Sequence, residues 1–532
     1  MKKYEIILMV SLILALSSFT VPAQNNTKEA EHFYRQDSEK ENGSYPKAEN
    51  YWSQFRGPNC SGLASSDSRP PTEFGENKNL LWKIDLPVGT SSPVVWKNNI
   101  YLTAFVKENN ELQTLCVESS SGKIIWTQSV FPEKMENVHP ISNPAQTTIA
   151  VDESGVYVYF ASCGIRSYTH AGEMRWNLTM PVSYKDYGHA SSPVIMDDKL
   201  LLSFDYGDEK TRFLKAFHKN TGEIAWKIPM TNKTGYGSHS TPIRYNDQVI
   251  LHRCGSIGAY SLKDGSPVWW LPLMTLGRST PVIHNNTVFV GAWTNLSEKE
   301  RRGNYFEYDT FEKALTDFDQ NNDKLISENE IPMDLLFFLR PELINYTEAD
   351  EYDIVDKKCP VRLFFNMGMD QDENGFVDQA EWTGYYMYWK NLTQDLGLLA
   401  LPLGLTGELS MEDITWMQLE KNPEVPSPVF CNNSVYMTAD GGWVTCMDAV
   451  TGEVTFQEKI GVPGPCIASP VAANGNIYSA SHNGNVMVIT AEKKPTVVSR
   501  TRLTGKILAT PAVNGNCLYI RTTKHLYAFQ EK

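Results

Sequence analysis

The chain has 532 residues, 41% of them hydrophobic and 11% aromatic, with a formal net charge of −14. Between Glu298 and Asp395 lie 23 acidic and 10 basic residues, so the remainder of the chain is close to neutral. This distribution excludes a basic nucleic-acid face and marks a discrete acidic module.

Residues 1–23 read as a signal peptide. Lys2 and Lys3 precede an apolar run over residues 6–16, and Val21-Pro22-Ala23 offers small residues for cleavage. The run is too short for a membrane span, and no cysteine stands at the cleavage site to carry a lipid anchor. Residues 24–50 are polar and charged and are expected to form a disordered leader. The expected destination is the periplasm or the exterior.

From there to the C-terminus, eight prolines, each preceded by Ser, Thr or Asn, open apolar strand-like runs. They are Pro93, Pro144, Pro193, Pro242, Pro281, Pro428, Pro470 and Pro511, spaced 39 to 51 residues apart except for one gap of 147. Such a period signals an array of one supersecondary unit. In the third unit, Ser192-Pro193-Val194-Ile195 leads to a turn at Asp197-Asp198 and then Leu200-Leu201-Leu202. Phe213-Leu214-Lys215-Ala216-Phe217 follows, then Thr221-Gly222 and Glu223-Ile224-Ala225-Trp226. These are four short β-rich runs with no helical period. Proline is tolerated at the start of a strand, where its missing N–H falls before pairing begins.

The closing cadence of Gly, three residues and a large aromatic recurs at Gly122 to Trp126, Gly172 to Trp176, Gly265 to Trp269 and Gly452 to Phe456. The aromatic has a place if it packs on the next unit. Four strands repeated eight times predict an all-β fold, an eight-bladed β-propeller. The last unit stops after its third strand, at residues 525–529, and the unclaimed strand at residues 80–84 is expected to close the ring.

The gap of 147 is one repeat plus an insertion. The expected division is propeller at 51–294, insertion at 295–395 and propeller again at 396–532, with the insertion in the fifth blade. Residues 288–293 supply that blade's second strand, residues 397–401 its third and residues 413–416 its fourth. Within the insertion are two twelve-residue loops with EF-hand spacing. The second places Asp370, Asp372, Asn374, Phe376, Asp378 and Glu381 at the ligand positions, with Gly375 at the bend. Oxygens at the first, third and fifth positions wrap a hard cation, Phe376 offers its carbonyl, and Glu381 closes the site with two oxygens. The first loop places Asp319, Asn321, Asp323, Leu325, Ser327 and Glu330 there, but Lys324 takes the glycine's position. A side chain at φ > 0 costs about 1 kcal/mol, so this loop is expected to bind more weakly. Flanking segments are expected to be helical: Phe311, Leu315 and Phe318 before the first loop, Leu335, Leu336 and Leu339 after it, and Trp382, Tyr385, Tyr386 and Trp389 after the second. Two calcium ions are the expected cofactors.

The nine cysteines are scattered, with no adjacent pair and no CxxC. Cys116 and Cys446 fall in the strand slot of Ala216 and Ala259 and read as small core residues; a disulfide such as Cys431 with Cys446 is left open. Just before the proline steps stand His189, His239 and Arg278, with Tyr187 and Tyr236 nearby, whereas later units have Val425, Ile467 and Leu508. This polar arc at the channel mouth suits an anionic or sugar-like ligand, and it equally suits loop residues satisfying neighbouring backbone.

The repeat, read on Ala216 to Trp226 with Thr221-Gly222 and on Asp448 with Thr451-Gly452, resembles the PQQ-like β-propeller family. The opening Trp52-Ser53-Gln54-Phe55-Arg56-Gly57-Pro58-Asn59 resembles the start of exported bacterial members carrying an EF-hand pair in one blade. The resemblance extends, more distantly, to the propeller lipoprotein of the outer-membrane assembly machinery and to PQQ-dependent alcohol dehydrogenases. It implies an exported propeller. The adjacent cysteine pair of the dehydrogenases and the lipidated N-terminal cysteine of the lipoprotein are both missing here. The expected function is therefore a non-enzymatic scaffold that binds calcium and presents its face to a protein or other extracellular ligand. The alternative is an oxidoreductase with PQQ in the channel. A hydrolase or lyase acting on polysaccharide suits the compartment but has no motif behind it.

Overall fold

The computed structural model describes residues 51–531 except 140, 181–186, 206–211, 231–236, 294–304, 306, 339, 344–358 and 393–395. The expected signal peptide, the leader and Tyr236 lie outside the described residues. Eight four-stranded sheets form an eight-bladed β-propeller. The third blade is representative: Val194–Met196, Lys199–Phe204, Phe213–His218 and Ile224–Pro229 pair antiparallel in sequence order. Its inner strands are almost wholly buried and its outermost strand is largely exposed, as expected for sheets stacked around an axis.

Two repeated devices join the blades. The first explains the glycine-to-tryptophan cadence. Trp82, Trp126, Trp176, Trp226 and Trp416 each lie against a turn glycine of the next blade: Gly122, Gly172, Gly222, Gly265 and Gly452 respectively. These glycines have φ between +73° and +90°, and a β-carbon on any of them would stand 2.5–2.9 Å from the indole. Each indole N–H also donates to a carbonyl of the turn it covers, namely Ser119, His170, Lys219, Leu262 and Ala449.

The second device is a closed ring of hydrogen bonds around the axis. The backbone N–H of Ser92 donates to the hydroxyl of Thr148, Thr148 to Ser192, Ser192 to Thr241 and Thr241 to Thr280. Thr280 then donates to Ser427, Ser427 to Ser469, Ser469 to Thr510, and Thr510 back to Ser92. All eight bonds are 2.9–3.2 Å long. In seven blades the ring residue is the one before the proline. The second blade differs: Thr148 takes part, Ile149 stands in the proline's place, and the first strand is Ala150–Asp152. Asn143-Pro144 is thus not the repeat's opening step there; Asn143 instead caps a turn by accepting from Ala145 N–H at 2.8 Å.

The fourth and fifth blades depart from the pattern. One bent strand, Gln248–Ser261, pairs by its first half with Ile243–Tyr245 and by its second with Pro267–Leu276. A short parallel strand, Gly407–Glu408, then covers the outer edge. In the fifth blade Leu398–Pro402 pairs with Thr287–Gly291 on one side and Trp416–Gln418 on the other. The fourth strand begins at Trp416, because Met411–Asp413 form a 3-10 turn whose capping box closes on Ser410.

The eighth blade is assembled from both ends of the described chain, Leu80–Asp85 pairing antiparallel with His525–Phe529. The segment before it, residues 51–69, lies across one end of the channel. It bonds to the blades at Val95, Val151, Ile195, Arg244, Pro428, Ala472 and Gly515. Cys431 and Cys446 stand as separate buried thiols. Among the described residues no helix is long and apolar enough to cross a membrane.

Candidate metal centre and central channel

The two loops of the insertion are built alike. Helix Phe311–Phe318, capped by Thr310, delivers Asp319 to the start of the first loop. The 3-10 turn Val361–Met367 leads to Asp370, and helix Gln379–Leu392 begins beside Glu381. Asp319 accepts from the N–H groups of Asp323 and Lys324 at 3.2 and 3.0 Å; Asp370 accepts from those of Asn374 and Gly375 at 3.1 and 2.8 Å. Asn321 and Asp372 accept from Asp323 N–H and Asn374 N–H, and Asp323 and Asn374 accept in turn from Leu325 N–H and Phe376 N–H. The closing carboxylates also match. Glu330 receives Ser327 N–H and Gln320 N–H, and Glu381 receives Asp378 N–H and Gln371 N–H. A two-residue antiparallel bridge, Ile326 opposite Val377, joins the loops.

The loops differ at the bend and in their carboxylates. Lys324 is held at φ +66° where Gly375 has φ +90°. Carboxylate oxygens of Asp370, Asp372 and Glu381 converge within 4.8 Å of one another, an arrangement found at no other acidic, histidine or cysteine cluster among the described residues. Such an all-oxygen set suits a hard divalent cation. After the first loop the expected helix is absent: Leu336–Phe337 is a short strand paired with Cys359–Pro360. Pro332 holds Ile331 extended, at ψ 119°, and so turns the chain out of the helical region. Leu339 lies outside the described residues, and Trp389 falls where side chains are not described.

The channel holds a cavity of about 220 Å³. Its wall follows from the hydroxyl ring. In extended chain the residue two before each ring hydroxyl points the same way. Those eight residues, Thr90, Gln146, Ala190, His239, Arg278, Val425, Ile467 and Leu508, all line the cavity. The lining is polar at Gln146, His239 and Arg278 and apolar at Val425, Ile467 and Leu508. His189 is three residues before its ring serine and so faces the other way. It is buried between Tyr159, at 4.7 Å, and Phe204, at 5.8 Å; burial pushes its imidazole down to about 4. Burial, with Arg278 and His189 nearby, holds His239 far below the usual histidine range. Tyr187 lies against His139, ring centroids 4.8 Å apart and tilted by 34°, and under the Arg278 guanidinium at 5.3 Å.

Sequence periodicity does not reach three further channel groups. Phe55, from the segment across the channel's end, lines the cavity, as do Glu424 and, from the insertion, Arg340. The Arg340 guanidinium donates to Glu424 and to Asp440. Burial pushes Asp440 up to about 6, against the pull of Arg340. Gln146 and Ala190 were findable by counting back two residues from each ring hydroxyl, once Thr148 is recognised in the second blade.

Residues 440–532 match the family described as outer membrane protein assembly factor BamB. That stretch is BamB-like. Among solved structures, BamB from Moraxella catarrhalis superposes with a TM-score of 0.50 at 12% identity, covering 85% of this chain and 97% of its own. Quinohemoprotein alcohol dehydrogenase from Comamonas testosteroni gives 0.50 at 11% identity, covering 92% and 82%. The computationally designed Ika8 protein gives 0.51 at 8% identity, covering 85% and 99%. At these identities the shared property is the propeller fold, BamB-like over residues 440–532, and fold alone does not assign activity. No curated protein matches the chain in sequence.

Proposed function

We propose that this protein is an exported, non-enzymatic propeller scaffold whose inserted EF-hand pair, at 295–395 in the fifth blade, binds two calcium ions. The observation that carries the reading is the position-by-position match of the backbone N–H bonds that the two loops make to their first, third, fifth and closing side chains, across sequences that share few residues. Asp370, Asp372, Asn374, Phe376, Asp378 and Glu381 would hold one ion. Asp319, Asn321, Asp323, Leu325, Ser327 and Glu330 would hold the other, more weakly. Extracellular sites of this kind work at roughly 10⁻⁴ to 10⁻³ M, so both would stay loaded outside the cell. The propeller face would bind a protein or other extracellular ligand, in keeping with the BamB-like final blades.

Calorimetric titration of the mature protein beside Glu330→Gln and Glu381→Gln tests the reading. Two ions, each lost with its own substitution, are expected; no uptake by the unsubstituted protein refutes it. The second reading, a PQQ-dependent oxidoreductase, rests on the fold shared with the quinohemoprotein. Against it stand the missing adjacent cysteine pair and a channel whose Arg278 and Arg340 already face Glu424. A quinone absorption band in the untreated protein would reverse that order.

A further inference from the structure

Arg340 brings the insertion to the channel. It lies between the strand Leu336–Phe337 and the turn Pro341–Leu343. Its two terminal nitrogens donate to Glu424 and Asp440, both on the ring. Glu424 also faces Arg278 at 3.7 Å, so the ring's cation and the insertion's cation share one carboxylate. The four side chains are only 7–15% exposed, and ion pairs so sheltered are weakly screened by salt. The backbones meet closely as well. A β-carbon on Gly441, at φ +73°, would stand 2.6 Å from the Glu342 carbonyl oxygen, so only glycine admits this approach.

A continuous apolar core leads from Arg340 back to the loops. Phe337 packs on Tyr305 at 5.0 Å and on Phe364 at 5.3 Å. The same buried cluster contains Trp382 and the pair that joins the loops, Ile326 and Val377. A cation in the loops would fix that pair and the helices beside it, and the shared cluster would carry this order to Phe337, three residues before Arg340. The other end of the channel is covered by residues 51–69, with Phe55 against the cavity.

We propose that the insertion is the lid of the channel, that Arg340 is its latch on Glu424 and Asp440, and that a divalent cation in the loops keeps it shut. The cation clause rests on the calcium reading above; the latch does not.

The probe is Leu508→Cys in the full chain, alkylated with iodoacetamide and followed at position 508 by peptide mass spectrometry. Alkylation is expected to be slow in calcium. It should rise at least tenfold on chelation, and also in calcium when Arg340→Gln or, separately, Glu424→Gln is added. Equal rates with and without the two latch substitutions overturn the lid. A rate that responds to the latch substitutions but not to chelation, in protein that takes up calcium by calorimetry, overturns the cation's control. Protein that takes up no calcium overturns the calcium reading, and the latch substitutions still decide the lid.

Discussion

At Gly222 the backbone sits at φ +78°, with the Trp176 ring 2.7 Å from where a β-carbon would stand. Gly222→Ala therefore meets two costs, a left-handed conformation of about 1–3 kcal/mol and a displaced indole. Trp176→Phe keeps most of the packing and loses the N–H donated to Lys219 at 3.0 Å, worth about 1 kcal/mol. Denaturant unfolding should rank the glycine change as the more damaging; the reverse order would mean that the contact is held by the hydrogen bond alone. The same conformational argument runs the other way at Lys324, held at φ +66°. Relief of ~1 kcal/mol predicts that Lys324→Gly tightens the first loop about fivefold in calcium titration. The clasp is legible in sequence because both of its ends repeat. The facing of His189 is legible only after the ring hydroxyls are aligned, since a one-residue error turns a side chain to the opposite side.

Among the elements, the hydroxyl ring does what no single strand pairing does: it ties every blade's inner edge to the next. The bond from Thr280 N–H to Ser427, at 2.9 Å, spans 147 residues and bridges the insertion. Ser427→Ala leaves that buried N–H without its acceptor, a loss of about 1–3 kcal/mol. Hydrogen exchange should show the Thr280 amide opening faster while amides of the third blade are unchanged. Uniform acceleration throughout would mean that the ring acts only through global stability. The repeat of Ser or Thr before proline announces seven of the ring members. The eighth, Thr148, is hidden because Ile149 replaces the proline, while Asn143-Pro144 imitates the signal five residues too early. Element type failed where a local proline outweighed periodicity: the leucines after the first loop have helical spacing, but Pro332 takes the chain into a strand.

For the molecule as a whole, the segment over 51–69 and the insertion bracket one cavity, and the groups buried around it set opposing responses to acid. The composition of this cavity was only partly readable, because Arg340, Glu424 and Asp440 are brought together by docking rather than by repeat. Burial pushes His189 and His252 from 6.5 down to about 4, so between those values the unfolded chain takes up protons that the fold refuses. Stability is then lost as pH falls, at about 1.4 kcal/mol per pH unit for each histidine. Asp440 has the opposite sign. Burial lifts it from 3.8 to about 6 despite Arg340, with Glu342 and Glu424 adding to the rise, and the fold takes up this proton before the unfolded chain does. Glu136, lifted by burial to about 8, acts in the same direction. His239, held far below its usual range by burial and by Arg278 and His189, adds to the loss, so the two carboxyls offset only part of it and the unsubstituted protein should lose stability between pH 6 and 4.5. His252→Gln retains an amide to meet Ser279 O and Thr275 Oγ1, both at 2.9 Å from the imidazole, and removes one destabilising proton. Asp440→Asn removes one stabilising proton. Urea unfolding across that window should give a steeper loss on acidification for Asp440→Asn and a flatter one, or a gain, for His252→Gln. Parallel slopes for all three proteins would show that these buried groups titrate alike in the folded and unfolded chain.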